Sequence, residues 1–382
     1  MRTPAVLLMC APALLACAGD PDEDAEPYVY ADSLESTQPL ASPRFAHAAT
    51  LLDDGRVLVV GGIRGAPSQL GLDAFPAEVE LFNPDTETFE QGAALASPRS
   101  WPSATRVADG RVVIVGGTTL DANALSIPAL AIELWDPASE SLSTIGQLPS
   151  GGVLFHCAAP IGDDLLVLDD CDSNACTLVR VDPDGGDAAI TVLAGTPSYS
   201  YSLDVDCASL PDGRVMIAGG QETVDGLTQG VAYAEIYDPA TESFELIGPI
   251  SGPYGPDTQL AVLANGDVML FGDGEGNAPL GQLYSTSAGE FSPIEGEVVA
   301  RVDHSLTALD DGRVLIIGGK QPDLEFASGI DLFDPATGSF KSLTPEFAPR
   351  WGHTAVRLDS GPVLIVGGKT IDGHRADAYL YR

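Results

Sequence analysis

One stretch of sequence recurs along this chain with nearly fixed internal spacing. Its clearest copies start with Arg and end with Gly-Gly, and they cover residues 44–62, 99–117, 301–319 and 350–368. Two weaker copies cover residues 202–220 and 255–273, and the most divergent copy covers residues 153–170. Self-similarity at a fixed period is typical of repeat architectures, so the seven copies predict seven similar structural units.

The first copy shows what one unit encodes. An apolar-leaning strand leads to Asp54-Gly55, a dipeptide that tolerates positive φ and favours a tight hairpin. The run Val57–Val60 is apolar without alternation, which is typical of a strand covered on both faces. At Gly61-Gly62 we expect the backbone to bend or to pass close to a neighbour.

The second half of each unit carries another regular signal. A large residue precedes Asp-Pro or Asn-Pro, and a second large residue follows seven positions later. The pairs are Phe82 and Phe89, Trp135 and Leu142, Tyr237 and Phe244, and Phe333 and Phe340. The Asp or Asn side chain caps a type I turn and Pro fixes φ, so this half predicts a second hairpin with one large residue on each strand.

These features together resemble the kelch motif: Gly-Gly, an aromatic residue before Asp-Pro, a second large residue, and a period close to the ~50 residues of kelch repeats. The resemblance covers residues 30–382, although Phe or Leu stands where the family usually has Trp. It implies an all-β fold, a seven-bladed β-propeller with four-stranded blades. Residues 34–44 align with residues 89–99, so we expect an N-terminal strand to complete the last blade and close the ring.

The N-terminus is typical of an exported protein. Residues 1–16 predict a signal peptide of the lipoprotein type, because Leu14-Leu15-Ala16-Cys17 resembles a lipobox in which Cys17 is lipidated. An ordinary signal peptide with an incidental Cys is the alternative. Residues 17–27 are acidic and predict a tether, and residues 28–382 predict one propeller domain. We therefore expect a lipid-anchored protein of the bacterial cell envelope, in the outer membrane or at the cell surface.

The charge balance limits the partners. The chain has 18 basic and 55 acidic residues, a net charge of -37. Such a chain repels phosphate backbones and anionic lipids, so we expect no nucleic acid partner and membrane contact only through the lipid anchor. We expect a monomer that binds a protein or a glycan.

Four cysteines remain in the predicted domain. An even number of cysteines in an exported chain suggests disulfides. Cys171 and Cys176 bracket a short loop, and Cys157 and Cys207 hold near-equivalent positions in adjacent units, so we favour these two pairings. A reduced zinc site is the alternative, but the spacing does not match a zinc knuckle.

Comparing the units separates residues that serve the fold from those free to serve function. One repeated position holds arginine: Arg44, Arg99, Arg301 and Arg350. Another holds a carboxylate: Glu80, Glu133, Glu235 and Asp331. We interpret these as structural Arg–carboxylate pairs, with a basic ring at one end of the channel as the alternative. A third position holds His47, His304 and His353. We interpret these histidines as structural hydrogen-bonding residues rather than metal ligands.

Aromatic residues that break the repeat are the candidate binding residues. They lie near the starts of the first strands, on the face where the loops after Gly-Gly also lie. We assign binding roles to Trp101, Phe155, Tyr199, Tyr201, Tyr254 and Trp351. Aromatic residues on loops of a rigid scaffold are common binding anchors, and packing at blade edges is the alternative. Units three to five deviate most from the repeat. We expect them to make the mouth of the channel asymmetric, so that a partner can dock in only one orientation.

The sequence says less about chemistry. It shows no Ser/His/Asp signature, phosphate loop or distinctive carboxylate pair, so we assign no catalytic residues, no metal and no cofactor. Two acidic loops, residues 182–187 and 273–277, are the candidate calcium sites.

The leading hypothesis is an envelope lipoprotein whose propeller is a protein- or glycan-binding scaffold, and we favour a non-enzyme. The alternative is a secreted galactose-oxidase-like or sugar-active enzyme with its site at the channel mouth, since some kelch propellers are enzymes.

Overall fold

The computed structural model describes most of the chain. The described residues are 27–64, 74–121, 125–149, 157–169, 176–198, 205–224, 227–252, 254, 258–272, 280–296, 298–321, 326–327, 329–343 and 347–382. The predicted signal peptide, Cys17 and most of the predicted tether lie outside them. Within the described residues no helix is long and apolar enough to cross a membrane.

The strands form seven four-stranded blades. Strand β1 (Leu34–Ser36) precedes the first of them. Blade 1 contains β2 (Phe45–Leu51), β3 (Val57–Ile63), β4 (Glu78–Asn83) and β5 (Thr88–Ala94). Blade 2 contains β6 (Ser103–Arg106) and β7 (Val112–Val115), a small hairpin of β8 (Thr118–Leu120) and β9 (Ser126–Pro128), then β10 (Ala131–Asp136) and β11 (Ser141–Gln147). Blade 3 contains β12 (Cys157–Ile161), β13 (Asp164–Asp169), β14 (Thr177–Val181) and, after a short 3-10 turn at Gly186–Ala188, β15 (Ile190–Val192).

The remaining blades follow the same plan. Blade 4 contains β16 (Val205–Ser209), β17 (Val215–Gly219), the hairpin β18 (Gln221–Val224) and β19 (Leu227–Gly230), then β20 (Ala234–Asp238) and β21 (Ser243–Ile247). Blade 5 contains β22 (Gln259–Val262), β23 (Val268–Phe271), β24 (Gly281–Ser285) and β25 (Glu290–Pro293). Blade 6 contains β26 (Ser305–Ala308), β27 (Val314–Ile317), β28 (Ile330–Asp334) and β29 (Ser339–Leu343). Blade 7 contains β30 (Thr354–Arg357), β31 (Val363–Val366), the hairpin β32 (Lys369–Thr370) and β33 (Gly373–His374), and β34 (Ala378–Tyr381).

The N-terminal strand closes the ring, as predicted. The sheet of blade 7 has the order β1-β34-β31-β30, so its outermost strand comes from the other end of the chain. Leu34 lies opposite Tyr381, and Ser36 lies opposite Tyr379. The preceding segment is also held, because the Tyr30 hydroxyl donates to the Gly361 carbonyl at 2.7 Å. The predicted seven-bladed β-propeller is therefore confirmed.

The apolar second strands are explained by packing between blades. In β3, Val57 and Val59 pack with Leu364 and Val366 of blade 7. The alternate residues of β3, Leu58 and Val60, pack with side chains of blade 2. Both faces of the strand are thus buried, and this is why its sequence is a continuous apolar run instead of an alternating one.

The hairpins of the outer strands also form as predicted. Asp136 Oδ1 accepts the backbone N–H of Ala138 at 2.9 Å, which caps the Asp-Pro turn. Phe82 lies directly opposite Phe89 with ring centroids 5.0 Å apart. The same aromatic pairing occurs in blades 4, 5 and 6.

The first strand of each blade lines the central channel. Each of these seven strands contacts the first strand of the next blade around the ring. The predicted Cys157–Cys207 disulfide joins β12 to β16, with Cα atoms 5.5 Å apart. It therefore links blades 3 and 4 at the channel. Cys176 is also disulfide-bonded, and its predicted partner Cys171 lies outside the described residues.

The closing strand gives a test of how much the ring depends on it. A variant that begins at residue 44 leaves β34 without its outer neighbour and removes the hydrogen bonds that join Ser33 and Arg382. It also removes Asp32, which pairs with Arg313 and accepts from the Tyr381 hydroxyl at 2.6 Å. Because an unpaired edge strand invites association with other chains, we expect a lower melting temperature and aggregation on size-exclusion chromatography. A control variant that begins at Pro27 retains all these contacts, and equal melting of the two variants would contradict the prediction.

Candidate functional site at the mouth of the propeller

The backbone at one end of the channel has an unusual conformation. We call this end the mouth face; the first strands begin there and the second strands end there. In four blades the residue two positions after the repeated Arg has a positive φ: 58° at Ala46, 53° at Trp101, 55° at Asp303 and 61° at Gly352. For a residue with a side chain this conformation costs about 1–2 kcal/mol. Strain of this kind is retained where the surrounding structure fixes it, and it is common at functional sites.

Hydrogen bonds between blades hold these residues in place. The N–H of Trp101 donates to the Ala46 carbonyl at 2.8 Å, and the N–H of Ala46 donates to the Gly352 carbonyl at 2.9 Å. The N–H of Gly352 reaches the Asp303 carbonyl at 3.4 Å. The four residues thus form a backbone arc through blades 6, 7, 1 and 2.

Three aromatic side chains cluster on this arc, and we call them the mouth platform: Phe45, Trp101 and Trp351. The two indoles lie nearly parallel, at 21° with ring centroids 6.4 Å apart. The Phe45 ring lies edge-on to both indoles, 5.0 Å from Trp351 and 6.4 Å from Trp101, so the three rings form a triangle. Phe45 is buried, whereas both tryptophans remain partly exposed. The structure therefore brings together two predicted binding residues from blades that are distant in sequence.

Two lysine side chains lie beside the platform, at Trp351 and Phe45. Lys320 Nζ lies 3.9 Å from the Trp351 ring centroid, and Lys369 Nζ lies 5.4 Å from it. Lys320 also pairs with Asp303, and Lys369 lies 5.3 Å from the Phe45 ring centroid. The His374 ring packs 4.8 Å from Phe45, and burial together with the nearby Lys369 charge lowers the pKa of His374.

Small hairpins frame the same face. Trp351 pairs through its backbone with Lys369, the first residue of β32, and Ser100 pairs with Thr118, the first residue of β8. The tips of these hairpins expose apolar side chains: Ile371 is 84% exposed and Leu125 is 61% exposed. The mouth platform is therefore flanked by further apolar surface.

The other predicted binding residues do not join this platform. Tyr254 is completely buried among the side chains of blades 4 and 5, and its hydroxyl accepts a hydrogen bond from Gln282 Nε2 at 3.1 Å. In blade 5 the Tyr254–Gln282 pair takes the place of the Arg–carboxylate pair. Phe155, Tyr199 and Tyr201 lie outside the described residues.

Below the platform, the repeated arginines form the structural pairs expected from the sequence. Arg99 is fully buried and its guanidinium donates to Glu133 at 2.9 Å and to the Ala131 carbonyl at 2.6 Å. Arg44 pairs with Glu80, and Arg301 pairs with Asp331. In blade 4, where the Arg is absent, Glu235 accepts the backbone N–H of Ser198 at 2.9 Å instead. These charges stabilise the blades and do not form a free basic ring.

Comparing the repeated units of the sequence did not identify the partner of the fourth repeated arginine, Arg350. Arg350 donates to Asp377 Oδ1 at 2.9 Å, and Arg375 donates to Asp377 Oδ2 at 2.9 Å. Burial disfavours ionisation of Asp377, but the hydrogen bonds from both arginines outweigh it and hold the pKa below its usual value. The signal was weak because the seventh unit has no Asp-Pro turn to mark its third strand.

Two of the three repeated histidines form the predicted hydrogen bonds between blades, whereas neither ring nitrogen of His304 has a hydrogen-bond partner among the described residues and its ring packs edge-on against Phe271 of blade 5. His353 Nε2 lies 2.9 Å from the Ser305 hydroxyl of blade 6, and His47 Nε2 lies 3.0 Å from the Thr354 hydroxyl of blade 7. Burial, and secondarily the adjacent arginine charge, lowers the pKa of His47, His304 and His353 to about 3. These histidines are therefore neutral over the physiological pH range.

The low histidine pKa values predict a pH dependence of stability. Between pH 3 and about 6.5 the unfolded chain binds protons that the folded chain does not, so each histidine makes folding less favourable as pH falls through this window. We expect His47→Gln to be less stable than wild type by a constant amount above pH 7. Below about pH 6.5 the gap should shrink by up to about 1.4 kcal/mol per pH unit.

Urea unfolding of both proteins at several pH values between 4 and 8 tests this. Asp206 acts in the opposite direction, because burial raises its pKa to about 6 and its contribution to stability is lost as pH rises. It is common to both proteins and cancels in the difference. The control is His374→Gln, where the group is only partly buried and the expected dependence is smaller. A stability gap for His47→Gln that does not change with pH would contradict the prediction.

Comparison with known proteins bears mainly on the fold. No protein-family profile matches this chain, and no curated protein matches it in sequence. Among solved structures it is similar to a fungal alcohol oxidase of the AA5 family determined in complex with copper, with a TM-score of 0.67 and 18% identity. The similarity covers 92% of this chain and 76% of the oxidase. At this identity the similarity establishes the shared fold alone, and the kelch assignment stays a resemblance.

The comparison corrects the expectation of no cofactor. A protein with this fold holds copper, so the absence of a recognisable cofactor signature in the sequence was not a sound basis for that prediction. The described residues nevertheless contain no group of three or more His, Cys, Asp or Glu side chains that could hold a metal ion. The repeated histidines face the neighbouring blades, and two of them engage hydroxyls. The described residues therefore do not fit a copper centre, and no reaction step is assigned to a metal.

In the first candidate calcium loop, residues 182–187, two of the aspartate side chains are engaged by other groups of the protein, which gives no support to a calcium site. Asp182 Oδ1 accepts the backbone N–H of Asp184 at 2.8 Å, so Asp182 caps its own turn. Asp184 pairs with Arg111 of blade 2 at 2.9 Å. The second loop, residues 273–277, lies outside the described residues.

Proposed function

We propose that this protein binds a carbohydrate on the mouth platform, with a sugar ring stacked on the accessible parts of the two indoles. The observation that carries the proposal is the near-parallel pair of partly exposed tryptophans, Trp101 and Trp351, 6.4 Å apart at one rim of the channel. Each sits on or beside the strained backbone arc, which a rigid ring of blades holds in place. Binding residues are frequently presented in this way by a rigid scaffold.

The chemistry of the platform suits a sugar. The face of an aromatic ring carries partial negative charge, and the C–H groups on one side of a pyranose carry partial positive charge, so the two surfaces attract. Tryptophan offers a large contact area at a small entropic cost because its side chain has few rotatable bonds. The Lys320 ammonium group, paired with the largely buried Asp303, and the His374 ring lie at the edge of the platform, where sugar hydroxyls would need polar partners.

Oxidation of a sugar or another alcohol is the second candidate function. It is favoured by the similarity to a copper-containing alcohol oxidase over most of this chain. In such a reaction the alcohol loses two electrons and two protons, and dioxygen accepts them. Copper analysis of the purified protein, followed by measurement of oxygen consumption with sugars and primary alcohols after copper loading, tests this candidate. A protein that binds no copper and consumes no oxygen would reject it.

The course of the first described residues is compatible with display of the platform. Tyr30 packs against the Gly361 turn, which lies at the end of the channel opposite the mouth face. If Cys17 carries a lipid, the chain enters the propeller from the far end and the platform faces away from the membrane. Detergent partitioning of the full-length protein tests the anchor, and a water-soluble mature protein that lacks lipid would reject it.

Truncation of the platform tests carbohydrate binding. We expect Trp101→Ala and Trp351→Ala each to weaken binding about fivefold or more, because a true aromatic anchor contributes about 1 kcal/mol or more. Affinity gel electrophoresis against neutral and acidic soluble polysaccharides measures this directly. The melting temperature should change little, since both indoles are partly exposed.

The matched control is Leu246→Ala, an exposed apolar residue on the outermost strand, β21, of blade 4, which contributes no residue to the platform. It should bind like wild type. Retention of full affinity by both tryptophan variants would exclude the platform as the site. Failure of the wild type to bind any polysaccharide would exclude carbohydrate as the ligand.

A further inference from the structure

Lysine is rare in this protein, and its distribution is uneven. The chain has three lysines, Lys320, Lys341 and Lys369. Two of them, from different blades, lie beside the same indole ring, that of Trp351. The third lies on β29, is 62% exposed at its side chain, and pairs with Asp32. The chain has a net charge of -37, so two ammonium groups at one partly exposed aromatic ring are a local concentration of positive charge on an otherwise acidic protein.

The charges around the ring leave one cation uncompensated. Lys320 is paired with Asp303. The nearby Arg375 and the buried Arg350 share Asp377, and Asp372 of the same hairpin adds one negative charge beside Arg375. The lowered pKa of His374 disfavours its charged form. Among the ion pairs of the described residues, none involves Lys369. The four cationic groups, the two lysines with Arg350 and Arg375, face three carboxylates, those of Asp303, Asp372 and Asp377, so a net charge of about one positive unit remains beside the platform.

We infer that the saccharide bound at the mouth platform carries a single carboxylate, as a uronic acid residue does, and that Lys369 recognises that group. This inference rests on the proposed function, because it names the class of sugar that the same platform takes. A neutral sugar would need no cation beside the indoles. A densely charged polyanion would be repelled by the rest of the acidic surface, so the one uncompensated charge fits a ligand with one negative group.

The position of Lys369 suits this role. It begins the β32–β33 hairpin, and backbone hydrogen bonds of 2.9 and 3.1 Å join it to Trp351, so the two residues are fixed relative to each other. A ring stacked beside Trp351 would bring a substituent at its edge near the ammonium group. Hydrogen bonds between an ammonium and a carboxylate are stronger than those between neutral groups, and partial shielding by the aromatic rings limits competition from water.

The experiment compares ligands that differ only in charge. The probes are a xylo-oligosaccharide carrying one glucuronate side group and the same molecule with that carboxylate converted to its methyl ester. Titration calorimetry at low ionic strength gives both dissociation constants. We expect the acid to bind about fivefold tighter than the ester, with the preference declining as salt is added.

Two lysine variants separate recognition from general charge. Lys369→Gln should remove the preference for the acid and leave affinity for the ester nearly unchanged. Lys341→Gln removes the same charge at a distant site and should retain the preference. Trp351→Ala should weaken both probes, because it removes the platform itself. Melting temperatures of all variants confirm that each is folded.

The possible failures are distinguishable. Equal binding of acid and ester, or a preference that survives Lys369→Gln, would overturn the inference while leaving carbohydrate binding intact. No binding of either probe, or of any polysaccharide tested for the proposed function, would overturn both. Loss of the preference in Lys341→Gln as well would show that overall charge, and not Lys369, determines it.

Discussion

The structure depends on one buried arrangement, an arginine that joins the strands of its own blade to the blade before it. In blade 1, Arg44 pairs with Glu80 on the third strand and donates to the Gly61 carbonyl at 3.3 Å on the second. The carbonyl of Arg44 accepts the N–H of Gly368 from blade 7 at 2.9 Å. Since removing one partner of a buried ion pair costs about 3–5 kcal/mol, each such arginine holds a junction that the fold cannot easily lose.

The Gly-Gly pairs allow the close backbone approach that this arrangement requires. A Cβ atom on Gly318 would lie 2.3 Å from the Arg350 carbonyl oxygen, and one on Gly117 would lie 2.1 Å from the Ser100 carbonyl oxygen. Both glycines also have positive φ. Glycine is therefore required because another backbone segment passes directly over the chain here, and this close approach brings the starts of the first strands together at the mouth.

The sequence predicted the repeated features well because they are local. A double glycine, an Asp-Pro turn or an apolar run can be recognised within a single repeat of the sequence, and comparison of seven copies makes a divergent copy recognisable. The platform could not be predicted in the same way. Phe45, Trp351 and Lys369 meet only because the ring closes, and Trp101 takes its orientation from a positive φ that no side chain signals. Tyr254 illustrates the opposite error, because an aromatic residue that breaks the repeat there replaces a buried arginine pair. One sequence signal could have predicted the cationic side of the platform: two of the three lysines directly follow a Gly-Gly pair.

The platform contains two of the predicted binding residues, but it lies outside units three to five, whose expected role in docking stays a prediction. We expected units three to five to determine how a partner docks because they deviate most, and most of their mouth residues lie outside the described ones. Among the described residues, the aromatic and cationic side chains gather instead in blades 6, 7, 1 and 2, where the repeated Arg is retained. The physical reason is that the arginine junction fixes the backbone arc two residues further along, and the arc in turn orients the aromatic side chains on it. The regular blades are thus well suited to hold a preorganised site, because the strain at Trp101 and Asp303 is offset by the buried pairs beneath them.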